Sequence, residues 1–66
     1  MTLKWTDVQD IAIELADRYP QVDPLTISFP ELYQKVMELD GFDDDPDRCG
    51  EKVLEAIQMA WIDERD

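Results

Sequence analysis

The sequence predicts a mostly all-α fold, a small three-helix domain with a short extended connector between helices 1 and 2. Three observations lead there. Apolar residues recur at three- and four-residue intervals in three separate stretches. Pro20, Pro30 and the loop from Gly41 to Pro46 stand where those stretches must stop or start. A chain of 66 residues has room for one shared core, burying about 60% of the surface that its unfolded form exposes. Residues 1–66 are accordingly read as a single domain.

The first helix opens at Thr6-Asp7-Val8-Gln9, which has the form of a capping box. In that arrangement the Thr6 hydroxyl accepts from the Gln9 amide, and the Gln9 side chain reaches back to the Thr6 amide. Asp7 then falls in the first turn, where the helix dipole favours an anion. Val8, Ile11, Ala12, Leu15 and Tyr19 make the apolar stripe, Pro20 ends it, and Trp5 is expected to fold back into the core. Opposite the stripe, Asp7, Asp10, Glu14 and Asp17 follow one another at intervals of three, four and three, with Ile13 beside them. Like charges so spaced destabilise a helix by roughly a few tenths of a kcal/mol per pair. This row is either a solvated face or a surface for a partner.

In the connector, Asp23-Pro24 suits a cap followed by a first-turn proline, giving one turn of helix. Thr26-Ile27-Ser28-Phe29 alternates and is β-branched, the pattern of a short extended segment. Pro30 opens the second helix, with Ser28 or Phe29 as cap and Glu31 in the first turn. Leu32, Val36 and Leu39 are its buried stripe, flanked by Tyr33 and Met37. Asp40-Gly41 closes it, with Gly41 expected in the left-handed conformation. The third helix, Glu51 to Glu64, turns Val53, Leu54, Ile57, Ala60 and Trp61 inward and Glu51, Lys52, Glu55 and Gln58 outward. Met59 and Ile62 lie off the stripe, where either can meet the connector.

Between the second and third helices, Phe42-Asp43-Asp44-Asp45-Pro46 sets three adjacent carboxylates between an aromatic residue and a proline. Their mutual repulsion raises the question of what holds them together: a solvated turn, or a cation. An EF-hand loop started at Asp43 would need glycine at its sixth place and a bidentate glutamate at its twelfth, which are Arg48 and Leu54 here. That rules out a specific calcium loop. A weak oxygen site for a hard ion on Asp43, Asp44 and Asp45 stays open, with Glu38, Asp40 and Glu55 as further donors or as part of the acidic partner surface.

Seventeen acidic residues against six basic ones give a net charge of −11. Such a chain repels nucleic acid and anionic membranes, which are bound through clustered basic surfaces. Its complements are basic protein surfaces and hard cations. There is no histidine and one cysteine, Cys49, which excludes Cys/His zinc sites, disulfide frameworks and Cys–His nucleophiles. Arg48 beside Cys49 favours a thiolate, while the surrounding acids oppose one. No Gly-rich phosphate loop or nucleophile–base pair is present, so no catalytic residues are assigned. No apolar run approaches the length of a membrane span, and the expected location is the cytoplasm.

Lys4-Trp5-Thr6-Asp7, Tyr19-Pro20 with Asp23-Pro24, and Phe42-Asp43-Asp44-Asp45-Pro46 together resemble the small acidic IscX proteins. So do Glu51-Lys52-Val53-Leu54-Glu55-Ala56-Ile57 and Trp61-Ile62-Asp63-Glu64, which extend the likeness over nearly the whole chain. The resemblance implies an accessory protein of iron–sulfur cluster assembly with a compact, modified winged-helix fold. It further implies binding to the cysteine desulfurase IscS and weak, exchangeable binding of iron (Fe2+/Fe3+) through acidic residues, in a monomeric protein. Cys49-Gly50 departs from the small polar pair usual in that family, and Pro30 from a threonine-like cap. Two other readings compete with an adaptor: a stand-alone iron buffer, and an acidic competitor for a basic protein surface with incidental iron binding.

Overall fold

Each apolar stripe becomes a helix in the computed structural model, which describes residues 2–65. Helix α1 spans Val8–Arg18, α2 spans Phe29–Met37 and α3 spans Glu51–Arg65, with one 3-10 turn at Pro46–Arg48 ahead of α3. The longest interface joins α1 to α3, and α2 closes the third side. Ile11, Ala12 and Leu15 of α1 meet Leu32 and Val36 of α2 and Leu54, Ile57 and Trp61 of α3, with Leu39 following α2. Leu3, Trp5 and Ile27 complete this core from outside the helices. Fully burying an aliphatic side chain of this kind is worth about 1.5–3 kcal/mol relative to exposure. The Trp61 ring is wholly buried, and its indole N–H has no acceptor among the described residues.

Helix ends show where tertiary contacts overrule local signals. The capping box does not form. Asp7 is the N-cap residue of α1 and makes no side-chain cap, because its carboxylate accepts from the Lys4 amide at 3.0 Å. Gln9 turns away and donates to Glu64 of α3 at 2.8 Å. At α2 the expectation holds: Pro30 stands in the first turn, and the Ser28 hydroxyl accepts from the Glu31 amide. That helix stops at Met37 with Glu38 as C-cap, and neither glycine among the described residues has a positive φ. Gly41 therefore does not make the left-handed cap. Its carbonyl instead accepts from the Leu3 amide at 2.6 Å.

Around Asp23 the connector forms a turn, not a helical turn that leads into a strand. The Asp23 carboxylate accepts from the Leu25 amide, and the Thr26 amide donates to the Asp23 carbonyl. Thr26 is part of this turn, so the extended backbone is limited to its end, at Ser28. The sole β pairing among the described residues is a parallel bridge between Leu3 and Phe42. Gln58, expected on the outside of α3, is half-buried and donates to the Pro24 carbonyl at 2.7 Å, tying α3 to the connector. Ile62 lies beside Pro24 and Leu25 there, whereas Met59 is 65% exposed.

Candidate functional site

Acidic residues occupy two distinct settings. The first is the loop after α2. Leu3 pairs with Phe42 through a hydrogen bond at each end, from the Leu3 amide to Gly41 and from the Asp43 amide to Leu3. This lays Trp5 over the loop. One Asp44 oxygen accepts from the Trp5 amide at 2.9 Å and the other from the Asp45 amide at 2.7 Å. The Trp5 indole donates to the Asp45 carbonyl at 2.8 Å, and the Asp45 carboxylate accepts from the Asp47 amide, capping the 3-10 turn. Stacking of Trp5 on Tyr33 and edge contact with Phe42 fix the ring from both sides.

These bonds answer how three adjacent carboxylates coexist. Charged acceptors of backbone N–H groups form strong hydrogen bonds, which here offset the repulsion. The Trp5 and Asp45 amides hold the Asp44 carboxyl below its ordinary value, with smaller help from Arg48 and Lys4. The Asp43 carboxylate alone is without a partner among the described residues, while its carbonyl accepts from the Lys4 ammonium. Carboxylate oxygens suit a hard cation. Yet among the described residues no three acidic or thiol side chains converge to hold one. Asp43, Asp44 and Asp45 thus do not present a shared ligand set, and Glu38, Asp40 and Glu55 do not join them. Cys49, also nearby, is half-buried, and burial pushes its thiol pKa up.

The second setting is the outer face of α1. Asp10, Glu14 and Asp17 are exposed and free of hydrogen bonds and ion pairs among the described residues, as the helical spacing predicts. Ile13 beside them is 45% exposed. Asp7, half-buried and turned toward Lys4, stands apart from this row. Between α1 and the turn after α2 lies a groove of about 420 Å³. Its apolar side is Leu3, Ile13 and Leu39, and its rim carries Asp10, Glu14 and Asp40. Arg18 closes one end through an ion pair with Asp40. Sequence spacing locates the acids and Ile13. It also puts Arg18 four residues beyond Glu14 on the same face of α1, but offers no signal for Leu3 and Leu39, which reach the groove only because the N-terminal segment and the turn after α2 fold against α1. Glu38 and Glu55 are exposed on α2's end and on α3 and do not line it.

A family model described as iron-sulphur cluster assembly matches residues 3–66. The chain belongs to this family. It is the family to which the IscX-like motifs point. Uncharacterized protein PA3808 of Pseudomonas aeruginosa is 61% identical over 66 residues, covering 100% of both chains. Membership ties the chain to cluster assembly, a family that is not a known class of enzyme. Among the described residues no helix is long and apolar enough to cross a membrane.

Proposed function

We propose that the chain is an acidic accessory protein of cluster assembly that docks on a basic surface of the cysteine desulfurase IscS. In this reading it binds iron weakly and adjusts the rate of assembly in the cytoplasm, without catalysing a reaction itself. The observation that carries it is the outer face of α1, where Asp10, Glu14 and Asp17 stand unpaired beside an exposed Ile13. Asp44 and Asp45 find partners within the fold; these have none among the described residues. On a chain of charge −11 they form a field that steers a basic surface toward α1. Iron enters as cargo. The carboxylates offer hard oxygen donors without an enclosing cage, so affinity is expected at a Kd of roughly 10⁻⁵ to 10⁻³ M, with little choice among ions.

The decisive test is binding to purified IscS by the parent and by a variant carrying Asp10→Lys, Glu14→Lys and Asp17→Lys. The variant is expected to keep its circular dichroism spectrum and lose binding, and parent binding is expected to weaken steeply as salt rises. Equal affinity of the two at low salt would remove α1 as the docking face. For iron, paramagnetic Mn2+ is titrated into labelled protein and into a variant with Asp43, Asp44 and Asp45 changed to asparagine. Broadening at the loop that the substitutions abolish supports ion binding there. Broadening along α1 that they leave unchanged transfers it to the docking face.

A further inference from the structure

We infer that Arg18 is an internal stand-in for a basic side chain of the partner: the groove beside α1 takes a partner segment with one apolar side chain next to an arginine or lysine, and that cation replaces Arg18 at Asp40. The inference rests on the reading that α1 is the docking face and adds what fills it. The groove's volume, about 420 Å³, suits one large side chain and part of its neighbour. Ile13 offers an apolar wall that the fold leaves open to solvent, at 45% exposure. Asp10, Glu14 and Asp40 surround that wall with three negative charges, and Arg18 is the one cation lining the groove.

The Arg18–Asp40 pair is accessible from solvent, with side chains 40% and 84% exposed. A pair so exposed contributes little to stability, so exchanging one guanidinium for another costs the fold almost nothing. Arg18 nonetheless competes with any incoming cation and repels it. Its presence sets the affinity below what the three carboxylates alone would give, and demands that a partner bring an apolar anchor as well as charge.

The experiment compares IscS binding of three variants with the parent by isothermal titration calorimetry at about 0.15 M salt, where exposed charges more than about 8 Å apart are largely screened. Arg18→Gln is expected to bind about three- to tenfold tighter, from the loss of one charge within contact distance of the partner's cation. Ile13→Ala is expected to bind about three- to tenfold weaker with an unchanged dependence on salt, because only apolar contact is lost. Arg65→Gln changes net charge by the same amount at the Asp23 pair, which does not line the groove, and is expected to stay within about twofold of the parent. Amide spectra of all three establish that the fold persists. Should Arg18→Gln bind no tighter, should Arg65→Gln tighten binding equally, or should Ile13→Ala match the parent, the inference is overturned. If the triple charge reversal still abolishes binding in that case, docking on α1 stands without the groove. If the reversal leaves binding intact, both readings fall.

Discussion

Asp43, Asp44 and Asp45 in the loop and Asp10, Glu14 and Asp17 on α1 match in number and in charge, but the fold treats them differently. Two of the three loop acids are turned onto backbone amides, and one of those amides belongs to Trp5, 39 residues away in sequence. The side chains of the three on α1 are exposed and make no hydrogen bond or ion pair among the described residues. Density of negative charge is thus no guide to where a protein meets its partner. What separates the two groups is whether an acceptor has a donor within the chain. Loop carboxylates make the N-terminal segment, the loop and α2 one unit through Trp5. The α1 carboxylates lend no comparable support, which leaves them available to a basic surface.

The contrast breaks most severely at Trp5. Its side chain is 3% exposed, stacked on Tyr33 and hydrogen-bonded to the loop through the indole. Trp5→Ala should cost about 3–5 kcal/mol of stability, by analogy with other buried aromatic truncations. In a domain this small that is a large part of the total. Neutralising α1 with Asp10→Asn, Glu14→Gln and Asp17→Asn should leave stability within about 0.5 kcal/mol of the parent, or raise it slightly as repulsion falls. Urea unfolding of both variants measures the pair. Comparable losses would mean that the α1 acids are structural after all.

Acid sharpens the distinction. Since folding lowers the Asp44 carboxyl below its ordinary value of 3.8, its stabilising effect is fully present above that value and is lost as pH falls through the lowered one. Asp44→Asn keeps an oxygen acceptor but removes the titrating group. The variant is expected to be less stable than the parent near neutral pH and to lose less stability as pH falls below the ordinary value of 3.8. Thermal unfolding across that range reads the slope. Parallel slopes for the two proteins would deny Asp44 its role in the clasp.

The smallest effect concerns Cys49, which lies just past the loop. Burial raises its thiol pKa, so the thiolate is scarcer than in a free cysteine at any pH below it. Alkylation by iodoacetamide at pH 8 should proceed several-fold more slowly than for a free thiol, and 6 M guanidinium should abolish the difference. Equal rates in the folded and unfolded chain would show that Arg48 offsets the burial.

Much of the helical layout can be read along the chain because it depends on neighbours three and four residues apart. The stripes of Ile11, Ala12 and Leu15, of Leu32 and Val36, and of Leu54, Ile57 and Trp61 are buried as their periodicity predicts. Ser28 caps α2, and Ile13 faces outward, for the same local reason. Acceptors and donors follow a different logic. The Thr6 cap does not form, Asp7 accepts from Lys4, Gln9 reaches Glu64, Gln58 reaches Pro24, and the Gly41 carbonyl accepts from Leu3. Most of these partners lie tens of residues away, and a polar side chain takes whichever unsatisfied group the packed helices bring near it. The acidic loop belongs with them. Its three aspartates stand out in the sequence as a question about repulsion; of the donors that answer it, the Asp45 and Asp47 amides are one and two residues away, while the Trp5 amide arrives only when the chain's beginning folds across its middle.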